Sequence, residues 1–330
     1  MANRRQFIQT AALAGLGISL VNPMAGMQWP SASGKRIGII GLDTSHSVAF
    51  TKEFNNPEAG PELHGYKVVA AYPHGSRDIE SSVSRIPGYT AEVQKLGVSI
   101  SGSIDELLAA CDVVLLETND GRLHLEQALP VIKAGKPMFI DKPMTASLKD
   151  AIRIFDEAEK QGVPLFSCSS LRYMEGAVAA ARGDHGKIFG AVTWSPATIE
   201  KTHPDLFWYG IHGVETLYTV MGTGCQKLTR SWSEGTDVVT GTWADGRIGT
   251  FRGIREGKHD YGGVVFAEKG NVSIGLFGGY KPLIIEIARF FETRIPPVSR
   301  QETLEILAFM EAADQSKREG GKMVDLPSIS

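Results

Sequence analysis

A chain of 330 residues is longer than one hydrophobic core usually serves, so two domains are expected, with one large α/β domain as the alternative. Hydrophobic residues at 42% and charged residues at 22% exclude a disordered or membrane-embedded chain. A net charge of -3 provides no basic excess for nucleic acid, so small-molecule partners are expected.

The chain opens with Asn3-Arg4-Arg5-Gln6-Phe7-Ile8, an apolar run from Ala11 to Val21, then Pro23 and Ala25. This reads as a twin-arginine export signal, residues 1–33 with the linker, and implies a periplasmic location. An amphipathic N-terminal helix is the alternative. The run is short and rich in Gly and Ala, whereas a bilayer-spanning helix needs about 20 residues, so no integral membrane segment is expected after signal removal. Cys111, Cys168 and Cys225 cannot all pair, and neither a structural disulfide nor a cysteine-built metal site is expected.

From Lys35 onward strands and helices alternate. Arg36 to Gly41 and Lys67 to Tyr72 are apolar runs of strand length. Ser103 and Glu106 have capping-box spacing and open a helix to Ala110, followed by the strand Val113 to Leu116. A helix from about Arg122 to Ala134 stops at Gly135, and the strand Met138 to Ile140 follows. A helix from Ser147 to Gln161 leads to the strand Leu165 to Ser167. Apolar strands separated by amphipathic helices predict a doubly wound parallel sheet over 34–170. Ligands of such sheets lie at the carboxyl ends of the strands, which directs attention to the loops after Gly41, Tyr72, Leu116 and Ile140.

Beyond Gly183 the strand-like pieces are 190–194, 226–231, 237–243, 248–252, 263–268 and 270–274. Their short turns, such as Ala244-Asp245-Gly246, predict an open, mostly antiparallel sheet. A helix from Gln301 to about Lys317 closes the chain. The span 171–330 therefore reads as an α+β domain for substrate binding and oligomerisation, and the expected fold class is α/β with a Rossmann first half.

A strand ending in glycine before a helix is where a G-x-G-x-x-G turn admits a dinucleotide pyrophosphate to backbone N–H groups. Here the turn is Gly41-Leu42-Asp43-Thr44-Ser45-His46, with only the first glycine present. A carboxylate at Asp43 repels a phosphate unless it turns away or caps the next helix. Thr44, Ser45 and His46 offer compensating donors. No acidic residue stands between Tyr72 and Ser76 to hold the 2′-hydroxyl of NAD. Ser76 and Arg77 suit a 2′-phosphate, which favours NADP over NAD, although Arg77 is equally readable as a surface arginine.

Further motifs follow in order: Glu117-Thr118-Asn119, His124, Gln127-Ala128, Ala134-Gly135-Lys136-Pro137, then Asp141-Lys142-Pro143. Arg172-Tyr173, the stretch from Gly210 to Glu215, and Gly320 to Leu326 continue the series. The succession resembles the T-P/N…H…A-G-K…E-K-P run of the Gfo/Idh/MocA oxidoreductases and covers nearly everything after the export signal. The resemblance implies a nicotinamide-dependent sugar or cyclitol oxidoreductase. It places Thr118, Asn119, His124, Asp141 and Lys142 with Gly41, Asp43, Thr44, Ser45, His46, Ser76 and Arg77 at the coenzyme.

In that family the lysine of E-K-P touches the substrate hydroxyl, a role that carries over to Lys142, whose neighbour is Asp141 in place of Glu. Removing hydride from an alcohol requires a base for its proton, and His212 occupies the family's histidine position. The aspartate often found four residues earlier is replaced by Trp208, so Asp205 is the substitute candidate. Trp208 and Tyr209 could stack on a sugar's C–H face, with Arg172 and Tyr173 as further substrate contacts. Arg172, Tyr173 and His203 are equally readable as structural. His203, Asp205, His212 and Glu215 match no zinc spacing, so no metal is assigned. A carbohydrate substrate and a homo-oligomer are the expected partners. Two alternatives stay open: redox-assisted glycoside cleavage with bound NAD, and a non-catalytic sugar- or nucleotide-sensing relative.

Overall fold

Strands β1 (Arg36–Ile40), β2 (Lys67–Tyr72), β3 (Ser99–Ile100), β4 (Val113–Leu116), β5 (Met138–Ile140) and β6 (Leu165–Ser167) form one parallel sheet in the order β3-β2-β1-β4-β5-β6. The structure is a computed structural model that describes residues 34–329, so the export-signal reading falls outside the described residues. All four residues of β4 and all three of β5 are buried, because helices cover both faces of the sheet. That is why these strands read as unbroken apolar runs. The strand order reverses between β1 and β4, which opens a crevice at their carboxyl ends.

Three helices of the first sheet begin where a side chain satisfies a free N–H group. Thr44 caps α1 (Ser45–Phe54), Ser103 accepts from Glu106 N at the start of Ile104–Ala110, and Ser147 accepts from Asp150 N at the start of Leu148–Gln161. Gly162, with φ 66°, ends the last of these in the left-handed conformation.

The second sheet contains β7 (Ile188–Pro196), β8 (Cys225–Trp232), β9 (Thr236–Trp243), β10 (Ile248–Ile254), β11 (Gly262–Ala267), β12 (Gly270–Ser273) and β13 (Val324–Asp325). Its order is β12-β11-β7-β10-β9-β8-β13; β7 and β10 run parallel, and the other pairs are antiparallel. Helices Ile211–Met221 and Arg300–Arg318 pack against one side of it.

Helix Lys281–Thr293 was not anticipated. Its Leu283, Ile284, Ile287 and Phe290 share a core with Ile39, Phe139 and Phe166 of the first sheet, and the Phe166 and Phe290 ring centroids are 4.8 Å apart. The chain after 170 thus returns to cover the Rossmann sheet, and the described residues lie within a single compact unit. All three cysteines are free and buried. Among the described residues no helix is long and apolar enough to cross a membrane.

Candidate active site

The loop after β1 is built around Gly41 and Asp43. Gly41 has φ 91°, and a Cβ there would lie 2.5 Å from the Thr118 backbone, so the turn requires glycine. Asp43 is fully buried, and its carboxylate accepts from Ser76 N at 3.1 Å and Asn119 N at 2.9 Å. A Cβ on Gly75 would sit 2.0 Å from Asp43 Oδ2, so this residue too must be glycine. Burial pushes the Asp43 carboxyl up, and its N–H donors oppose that shift. Asp43 therefore turns inward and ties together the loops after β1, β2 and β4. It is neither a phosphate ligand nor the helix cap, the latter role belonging to Thr44.

Above this tie lies a cleft of about 260 Å³. Thr44, Ser45, His46, Asn119, Lys142, Trp208, Tyr209 and His212 line it, as the sequence reading anticipated. Ser81, Arg85, Tyr89, Tyr261, Phe277 and Tyr280 also line it and were not foreseen, because they come from loops and helix starts that carry no motif. His212 Nδ1 lies 2.7 Å from Ser169 Oγ, and Tyr209 and Tyr261 approach its ring edge-on at 5.2 and 5.7 Å. Burial, reinforced by the charges of Lys142 and His46, holds the imidazole well below its ordinary pKa, so it is neutral.

Thr118 and Asp141 lie beneath the cleft rather than on its wall. Asp141 Oδ2 is 2.9 Å from His46 Nδ1 and 3.7 Å from Lys142 Nζ. Against the penalty of burial, His46 and Lys142 hold the Asp141 carboxyl well below the usual carboxylate range. Glu117 is completely buried beside it; burial and then the Asp141 charge push its carboxyl well above that range.

A second groove of about 400 Å³ opens at the ends of β2 and β4, lined by Arg77, Asp78, Asp120, Arg122 and Gln127 among others. Arg122 donates to Asp78 at 2.5 Å and to Asp120 at 2.6 Å. Ser76 is buried and bonds to Asp78, whereas Arg77 is exposed in the groove. His124 corrects the sequence reading: fully buried, it spans Thr118 O at 2.6 Å and Met144 O at 2.9 Å, bracketing two loops instead of facing a ligand.

Other candidates also lie elsewhere. Asp205 pairs with Arg230 at 2.8 Å and Lys317 at 2.6 Å, and the place beside His212 is taken by Ser169. Arg172 is buried between Glu215 and Glu302. With Tyr173 it lines a different cavity, of about 610 Å³, alongside Glu286 and Arg289. His203 Nε2 lies 3.2 Å from Asp120 Oδ1, and its ring packs against Trp208 at 5.0 Å.

Residues 35–168 match the family model described as "Oxidoreductase family, NAD-binding Rossmann fold". An inositol 2-dehydrogenase of Cereibacter sphaeroides is 34% identical over 148 residues, covering 44% of this chain and 39% of that protein. One from Klebsiella pneumoniae is 33% identical over 118 residues, covering 36% and 33%. The chain thus aligns with about two fifths or less of these relatives' lengths. A myo-inositol 2-dehydrogenase structure from Lactobacillus plantarum superposes with TM-score 0.71 at 19% identity, over 88% of this chain and 99% of that one. A myo-inositol dehydrogenase from Lactobacillus casei, in complex with NAD(H) and myo-inositol, gives TM-score 0.68 at 16% identity, over 89% and 97%. The coenzyme-domain match falls on this sheet, and the motif lysine and histidine share one cleft, so residues 35–168 are similar to the NAD-binding domain of that oxidoreductase family.

Proposed function

We propose that the chain transfers a hydride between a nicotinamide dinucleotide and a ring hydroxyl of a sugar or cyclitol. The observation that carries this is the meeting of Lys142 and His212 in one cleft at the switch point of a Rossmann sheet. The residues fit the coenzyme. The carboxylate that would oppose a phosphate is turned inside, leaving Thr44 and Ser45 at the start of α1 with Arg85 across the cleft. Asn119 and Lys142 would hold the nicotinamide half, and the groove containing Arg77 the adenosine half. When bound, the coenzyme supplies the hydride acceptor or donor.

The chain's own part is to orient the alcohol and move its proton. With Nδ1–H donated to Ser169 Oγ, His212 keeps the Nε2 lone pair free to take the hydroxyl proton. The Lys142 ammonium stabilises the negative charge that develops on that oxygen. Trp208 and Tyr209 offer apolar faces to the C–H side of a polyol ring. Arg77 supports NADP over NAD, since Asp78 beside it is engaged by Arg122 and Ser76. Twin-arginine export remains part of the proposal, on residues 3–8. So does homo-oligomerisation: Ile248 and Phe266, 55% and 40% exposed, flank Gly190 on the second sheet.

Mixing the protein with NADP or NAD and a panel of cyclitols and sugars tests the reading. Stoichiometric appearance of reduced nicotinamide is expected, with tighter binding of NADP. A leaving group released without net coenzyme reduction would favour glycoside cleavage instead.

A further inference from the structure

Two of this chain's departures from the family pattern meet at one point beneath the cleft. His46 stands at the third-glycine position of the loop after β1, and Asp141 replaces the Glu of E-K-P. Glu117, at the end of β4, joins them. One ligand atom from each of the three lies within 4.8 Å of the other two, and all three residues are buried. We propose that His46, Glu117 and Asp141 form a binding site for a divalent first-row transition cation.

Three buried oxygens at this point are unpartnered. Glu117 is 0% exposed and Asp141 1%, yet Glu117 Oε1, Glu117 Oε2 and Asp141 Oδ1 have no hydrogen-bond partner. Such atoms are costly to bury unless something satisfies them. A proton shared between the two carboxyls would pair two of the three oxygens and leave one stranded. Lys142 reaches only Asp141 among the described ion pairs. A cation held by both Glu117 oxygens, Asp141 and the His46 imidazole would satisfy all three. One imidazole with two carboxylates is a mixed N/O set that suits zinc or manganese better than magnesium. The ligands come from the start of α1 and the ends of β4 and β5, so the sheet holds them in place. With three protein ligands, positions remain for water or for a ligand oxygen from the cleft that His46 and Lys142 line.

The inference does not depend on the oxidoreductase reading, because its readout is metal content. The full chain is stripped with chelator, equilibrated with Zn²⁺ or Mn²⁺, dialysed and assayed by mass spectrometry for metal, with thermal unfolding in parallel. Stoichiometric retention of either cation with a raised Tm is expected, lost in Glu117→Gln and in His46→Gln while their circular dichroism is kept. Failure of the wild type to bind either cation stoichiometrically would overturn the proposal, as would undiminished retention by both folded variants. Should the variants not fold, the wild-type result decides.

Discussion

At the scale of single residues, the proposed hydride transfer turns on Lys142 and His212, which line one cleft. A base must be neutral to accept a proton, and burial keeps His212 in that state at pH values where an exposed histidine would be half charged. Its pKa is depressed in the folded chain, so the neutral form persists as pH falls past the ordinary value of 6.5. The acid limb of the kcat/KM profile is therefore expected below that value, and a limb at or above it would contradict this environment for His212. His212→Asn is expected to lower kcat by about 10²–10⁴-fold with little change in coenzyme affinity, the loss typical of a missing general base. Lys142 and His212 were legible because short motifs surround them. Ser169, which orients His212, was not: a serine 43 positions away has no local pattern to mark it.

At the scale of elements, the loop after β1 replaces a glycine-rich turn with a tie. Asp43 holds two backbone N–H groups from two other loops, of which that of Ser76 is buried and that of Asn119 borders the cleft. Asp43→Ala is expected to cost ~1–3 kcal/mol in urea unfolding for the stranded Ser76 N–H, with weaker coenzyme binding as the three loops loosen. Asp43→Asn, which keeps one acceptor oxygen, is expected to lose less. Unchanged unfolding of the alanine variant would refute the tie. The sequence showed that Asp43 conflicts with a phosphate; whether it turned inward depended on Gly75, 32 positions further along and legible only in three dimensions.

A similar contrast separates the missed helix from the ones that were read. Ser103 and Ser147 announce their helices by capping residues, whereas Lys281–Thr293 starts after Tyr280 with no side-chain cap.

Across the whole molecule, a buried ion cluster joins the second sheet to its covering helix. Arg230 is 0% exposed and pairs with Asp237, Asp314 and Asp205, which come from β9, helix Arg300–Arg318 and the turn before the cleft. Arg230→Met removes the guanidinium from Asp314 and leaves buried Asp237 to Arg255 alone, and is expected to cost ~3–5 kcal/mol of stability. Asp205→Asn, at the partly exposed edge of the cluster and still able to accept one hydrogen bond, is expected to cost about 1 kcal/mol and to leave turnover near wild type. A large loss of kcat in that variant would restore Asp205 as a proton-relay residue. The alternation of strands and helices made the Rossmann half readable from periodicity. The second half was readable as strands but not in its pairing, since the parallel β7–β10 contact joins segments more than fifty residues apart.

Hydride transfer in the cleft of Lys142 and His212 would carry a ring hydrogen of the substrate to the nicotinamide, and isotope labelling follows that hydrogen. The protein is incubated with oxidised coenzyme and a cyclitol deuterated at its ring carbons, and the nicotinamide product is examined by mass spectrometry. Deuterium on the reduced nicotinamide is predicted for the wild type, and for His212→Asn at a rate about 10²–10⁴-fold lower. Coenzyme-saturated wild type that leaves the nicotinamide unlabelled across the cyclitol and sugar panel would contradict the account.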